Sequence, residues 1–313
     1  MLGKTANGLF WMYRYLERAE NTSRFVETGQ RMALTRLGSS EGEWRSMMQT
    51  AGVLKAFEAT GEEISKESAL DWMLRSKSNA SSVLMSIEGA RQNARLVRTA
   101  LTPEVWEAMN GCYMRARDLL SRKVNERDLP KVLGEIRQGT ALVRGATHGT
   151  MLRNDIYNFA RIGTFLERAD NTARILDTKY YVLLPSVMSV GSSIDNVQWE
   201  TILRSVSARG GFRLVYGNQY NPEDIANFLI LDGRMPRSLA FCVGKIRDNI
   251  NHLAKDYGTR PDSCAKVAKL TDEYLSRDIE AIIDQGLHQY IQTVLSLLHD
   301  LGSQIEIDYR FYE

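Results

Sequence analysis

Four polar residues near the start of the chain, Glu17, Asn21, Arg24 and Thr28, stand at i, i+4, i+7 and i+11, a spacing that puts them in one stripe along a helix. Arg18 and Thr22 form a second row beside them. Arginine forks next to a carboxylate can grip an anion, a ligand carboxylate in particular, while the glutamate orients the guanidinium. The same residue types also suit a buried ion-pair network that fixes how helices pack. Removing one partner of such a pair typically costs ~3 to 5 kcal/mol, enough to hold both residues in place without catalysis. Both readings are open at the level of sequence.

The stripe occurs twice. YLERAENTSRFVET at 15–28 returns as FLERADNTARILDT at 165–178, identical at eight of 14 positions, so that Glu167, Arg168, Asn171, Thr172, Arg174 and Thr178 repeat every polar residue named above. Solvent-facing positions diverge more freely between duplicated copies, so these side chains are expected to meet something specific. The match continues with Met1-Leu2 against Met151-Leu152, and with Trp44 and Phe57 against Trp199 and Phe212. At a spacing of 156, Ser65, Glu67, Trp72, Ser82, Arg91 and Asn93 align with Asn221, Glu223, Phe228, Ser238, Arg247 and Asn249. This pattern predicts a tandem duplication, with copies over 1–150 and 151–313, and adds Arg91, Asn93, Arg247 and Asn249 to the candidate set. The expected partners are Arg91 for Glu17 and Arg247 for Glu167, or in each case an arginine of the opposite copy. No Pro-, Gly- or Ser-rich linker separates the copies, so two half-bundles sharing a core are expected rather than two tethered domains.

The elements that carry these residues read as helices throughout. Apolar residues recur at three and four, as in Met12, Leu16, Ala19 and Val26 or in Leu239, Val243, Ile246, Ile250 and Leu253, whereas sustained alternation is missing. Thr102-Pro103-Glu104 and Asn221-Pro222-Glu223 have the form of a capped helix start with proline in the first turn. The run from Tyr180 to Leu184 continues a helical pattern begun near Ile162 and is expected to break at Pro185. The predicted class is all-α, a two-lobed helical bundle. Phe10, Trp11, Tyr13 and Tyr15 in the first helix are read as core and interface packing.

Several functions are excluded or disfavoured. Forty basic residues against 38 acidic ones leave no excess with which to displace counterions from nucleic acid. Arg91, Arg95 and Arg98 form a basic row, but the second copy has Arg247, Asn251 and Ala254 there, which marks a solvated face. Cys112, Cys242 and Cys264 are widely spaced and odd in number, which fits a reducing cytoplasm. The N-terminus carries Lys4, Arg14, Glu17 and Arg18, so no signal peptide is expected, and no apolar run is long enough to span a membrane. None of the four histidines follows a Glu by three residues, so the carboxylate-histidine pattern of di-iron bundles is missing. Nucleotide loops and a nucleophile elbow are missing as well. No metal and no cofactor is expected.

The duplicated Leu-Glu-Arg-Ala-(Glu/Asp)-Asn-Thr block resembles the bacterial alpha-E family, an all-helical group with a Glu-Arg motif that occurs as a tandem duplication. The resemblance spans essentially the whole chain, through MLGKTANGLFWMYRYLERAE, PEVWEAMN at 103–110, GTMLRNDIYNFARIGTFLERAD at 149–170 and the closing DYRFYE. It implies a gene neighbourhood with circularly permuted ATP-grasp amide ligases, transglutaminase-like proteins and N-terminal-nucleophile peptidases, in a peptide synthesis or modification system. Two functions follow as expectations. One is a non-catalytic helical partner that docks on the ligase or presents its peptide. The other is an all-helical enzyme or receptor that takes an anionic peptide or carboxylate on Arg18, Arg24, Arg91 and their repeats. Arginines neutralised in a closed core would favour the first, and an open arginine-lined cleft the second.

Overall fold

The computed structural model describes residues 1–35, 40–182 and 193–312, and the side chains of residues 1–31, 41–177 and 199–312. Every regular element among them is helical: α1 (Gly3–Thr35), α2 (Ser40–Thr50), α3 (Leu54–Glu58), α4 (Lys66–Leu74), α5 (Val83–Leu96), α6 (Pro103–Leu119), α7 (Leu129–Thr150), α8 (Asp155–Val182), α9 (Ser193–Ser205), α10 (Arg209–Tyr216), α11 (Pro222–Ile230), α12 (Leu239–Tyr257), α13 (Asp262–Lys269), α14 (Ile279–Gln285) and α15 (Leu287–Asp308). A π-helical turn, Leu270–Tyr274, follows α13. α8 runs through Tyr180 to Val182, and Pro185 lies outside the described residues.

The chain forms two compact units, Met1–Glu167 with Tyr309–Glu313, and Arg168–Asp308. Their boundary falls inside α8, immediately after the second Glu-Arg glutamate, whereas the repeat boundary read from the sequence lies at 150.

In the first unit, α1 packs on α5 and α7, and α6 packs on α5 and α7. The three-and-four pattern of α1 accounts for this, since Met12, Leu16, Ala19 and Val26 are all buried. Phe10 stands edge-on to Trp11 at 5.8 Å and meets Phe311 of the closing segment at 5.4 Å. α1 and α8 approach to backbone contact where they cross: a Cβ on Gly163 would lie 2.3 Å from the carbonyl oxygen of Phe10. Any side chain there would push the helices apart. Gly163 is one turn before Glu167, so this crossing sets what Glu167 can reach.

In the second unit, α12 buries Leu239, Val243, Ile246, Ile250 and Leu253, the row read from the sequence. The two proline-marked helix starts are capped, Thr102 accepting from the Val105 amide and Asn221 from the Glu223 amide. Ser82 and Ser238, 156 residues apart, play one role in their separate units. Each caps its helix through the third amide onward, Met85 or Phe241, and donates to the carbonyl six residues back, Ser76 or Asp232.

Candidate functional site

Glu17, Glu20 and Asn21 lie on the buried face of α1, each no more than 2% exposed. Charge at such depth requires compensation, and α7 supplies it. Arg144 bonds Glu20 and lies 3.8 Å from the Glu17 carboxylate. Thr140 donates to Glu20 at 3.1 Å, and Arg24 closes the other oxygen of Glu20 at 2.8 Å. One turn further on, Arg137 reaches Glu27 at 2.7 Å. The result is a ladder of arginine-carboxylate bonds along the α1–α7 seam. Thr22 is buried and Thr28 half-buried beside it.

A second hub sits on α8. The Glu167 carboxylate is almost fully buried and takes Arg18 Nε at 2.6 Å, Arg18 Nη2 at 3.1 Å and Arg14 Nε at 2.9 Å. Burial pushes its pKa up, and the Arg18 and Arg14 guanidiniums more than reverse that, leaving it below the usual carboxylate value. The arginine of the first Glu-Arg pair is thus bonded to the glutamate of the second. Arg14 also lies over the Trp11 ring at 4.6 Å. Glu167 therefore meets arginines of α1, from the other side of the repeat boundary expected at 150, one of the expected arrangements.

The named partners Arg91 and Arg247 are corrected by the structure. Arg91 donates to Asn110 at 2.9 Å and stacks on Tyr113, while Arg247 lies 3.6 Å from Asp272 at an exposed position. Arg91 stands on α5 and Arg247 on α12, where these nearer partners engage them instead of the glutamates of α1 and α8. Near Glu17 stands Arg144 of α7, a residue that no repeat comparison singles out. Asn93 and Asn249 bond carbonyls of their own helices, Gly89 and Lys245. Arg95 and Arg98 are exposed, in accord with a solvated face.

Beyond Glu167 the repeated stripe has a different setting. Arg174 bonds Asp170 at 2.7 Å along the helix surface, and Arg168 donates to the Pro236 carbonyl at 3.3 Å. Asn171 and Thr172 are buried, and Thr172 donates to the Arg237 carbonyl at 2.8 Å. Thr178 lies outside the described side chains. Further along, Asp177 accepts from Gln292 at 2.8 Å and pairs with His288.

Sequence reasoning passed over Arg14, Glu20, Arg137, Thr140 and Arg144. For Glu20 a signal was present, because Glu20–Arg24 and Asp170–Arg174 are acid-base pairs at i, i+4 in both occurrences of the sequence block. The first aromatic cluster contains one further polar contact: Tyr13, fully buried with its pKa raised chiefly by burial, hydrogen-bonds Thr147. Nearby, His148 Nε2 accepts from Arg161 at 2.9 Å, which leaves Nδ1–H for the Tyr157 hydroxyl. Burial and the adjacent Arg161 and Arg153 hold His148 below its usual pKa.

Among the described residues, no cluster of three His, Cys, Asp or Glu side chains is arranged to hold a metal ion. No described helix is long and apolar enough to cross a membrane. The arrangement is suited to locking helices together through fixed charge, with its carboxylates consumed by arginines.

A family model for a predicted alpha-helical domain with a conserved ER motif matches residues 1–309. Glu17-Arg18 and Glu167-Arg168 are the dipeptides in the duplicated block that fit that description. No curated protein and no solved structure matches the chain.

Proposed function

Because the chain belongs to the Alpha-E family, we propose that it acts by binding, as a non-catalytic helical partner or peptide-presenting component of a peptide synthesis or modification system built around a circularly permuted ATP-grasp ligase. The observation that carries the reading is the neutralised stripe. Arg18 is held by Glu167, Arg24 by Glu20, and Arg144 by Glu17 and Glu20. An enzyme or receptor for anionic peptides would present arginines to its ligand, and here their forks are committed to buried carboxylates. A transglutaminase-like protein is a second partner in this reading, and the cytoplasm its setting.

The same reading takes the chain as a tandem duplication. Its support is the recurrence of local chemistry at one spacing: Ser82 and Ser238 cap helices in the same way, and Asn93 and Asn249 bond the carbonyl four residues back.

The test has two arms. Purified chain is titrated with the neighbouring ligase, and in parallel assayed for turnover of short acidic peptides with and without ATP. Saturable ligase binding without turnover is the expected result. Turnover by this chain alone, abolished by Arg24→Ala or Arg174→Ala in folded protein, would replace it with the enzyme reading.

A further inference from the structure

The α6–α7 pair of the first unit leaves an open groove of about 570 Å³ on its outer side. Its walls are small residues, Ala108, Gly111 and Ala116 from α6 with Gly139 and Ala146 from α7, and Leu142 stands in it 63% exposed. The two glycines differ in a way that matters. A Cβ on Gly139 would come within 2.9 Å of Cys112 Sγ, so Gly139 is needed for α6 and α7 to approach. A Cβ on Gly111 would meet nothing within 4 Å. Glycine in the middle of an exposed helix weakens it relative to alanine, and nothing inside the chain requires one at 111. Its open space leaves the groove floor accessible to a close approach from outside.

The charge around the groove specifies what approaches. Glu104 and Glu107 line it on α6 and, among the described residues, neither has an ion-pair partner. Glu135 lines it on α7 and is joined to Arg115, which also lies 3.4 Å from Asp118. Three carboxylates, Glu104, Glu107 and Glu135, therefore line the groove against the single guanidinium of Arg115, and the rim is net negative. Residues 104 to 119 run along α6 for about 22 Å at the helical rise, the length of roughly four turns. We infer that this groove is the docking site for a basic amphipathic helix of a partner protein, with small apolar residues seated over Gly111 and Leu142 and lysine or arginine side chains set against Glu104, Glu107 and Glu135. The inference does not depend on the ligase reading, because a ligase that binds elsewhere leaves the groove result unchanged.

The test uses the full chain and two synthetic fluorescein-labelled helices of about four turns. Both carry the same face of alanine and leucine; one is flanked by lysine and the other by glutamate. Fluorescence anisotropy should show the lysine helix binding at least ~10-fold more tightly than the glutamate helix, with affinity that weakens as salt is raised. Gly111→Trp, which fills the groove from an exposed position, and separately the pair Glu104→Lys with Glu107→Lys, should each weaken it by ~10-fold or more. Circular dichroism would verify that both variants are folded. Equal binding of the two helices, no binding of either, or indifference to both variants would overturn the proposal. So would a dimer in sedimentation equilibrium that Gly111→Trp dissolves, since the occupant would then be a second copy.

Discussion

Glu20 and Asp170 hold the same place in the two stripes, and each is paired with the arginine one turn later, yet Glu20 is 1% exposed and Asp170 lies at the surface with Arg174. Glu20 is met by Arg144 and Thr140 of α7, the last long helix before α8. α7 and α15 are both 22 residues long and begin 158 residues apart. At that spacing Arg137, Thr140 and Arg144 become Leu295, Leu298 and Gly302. α15 thus carries apolar residues at the places where α7 carries the charged seam. A repeated motif need not have a repeated environment: the α7 residues that meet Glu20 have no polar counterparts on α15.

Removing Arg144 should break the comparison most sharply. Arg144→Ala leaves Glu17 and Glu20 buried with less compensation and is expected to cost ~4 kcal/mol or more, while Arg174→Ala, at an exposed pair, should change stability by less than ~0.5 kcal/mol. Urea melts of the two variants beside wild type would show it. Equal effects would mean that the two stripes are alike after all.

Glu167→Gln comes next, at about 3 kcal/mol at neutral pH. Because Glu167 is held below the ordinary carboxylate value of about 4.3, its contribution is complete above that pH and is lost as pH falls through its folded value. Wild type should therefore lose stability on acidification below about pH 4 more steeply than the variant. Parallel acid limbs would remove Glu167 from the account.

Gly163→Ala places a methyl against the Phe10 carbonyl and should cost ~1 to 3 kcal/mol through forced separation of α1 and α8. Combined with Glu167→Gln it should cost less than the sum, because the first change already loosens the arginine bonds that the second removes. Strict additivity would show that the crossing does not position Glu167.

The smallest expected effect is at His148. Its pKa is depressed in the folded chain, so the unfolded chain binds more protons as pH drops. Its contribution is whole above about pH 6.5, the unfolded value, and declines as pH falls through the folded value. His148→Gln should flatten stability in that window without much change at pH 8.

The sequence revealed much of this and missed a definite part. Helical class, the capped starts at Thr102 and Asn221 and the buried rows of α1 and α12 are local properties, written in spacing of three and four and in cap residues. Burial of Glu17 and Glu167 was legible because an identical polar stripe demands partners. Which arginines answer is a property of how helices cross, and the contact between Gly163 and Phe10 leaves no periodic trace. Recurrence at the repeat spacing points to Arg91, whereas Arg144, which lies by Glu17, does not recur and so is invisible to that comparison.

The central claim is that the Glu-Arg stripe is an internally neutralised network, and a double-mutant cycle on Arg18 and Glu167 tests it most directly. Arg18→Met and Glu167→Leu should each lower unfolding free energy by about 3 kcal/mol, and the double variant should recover most of it, giving a coupling of ~2 kcal/mol or more. Additive effects within ~0.5 kcal/mol, or single variants as stable as wild type, would contradict the account.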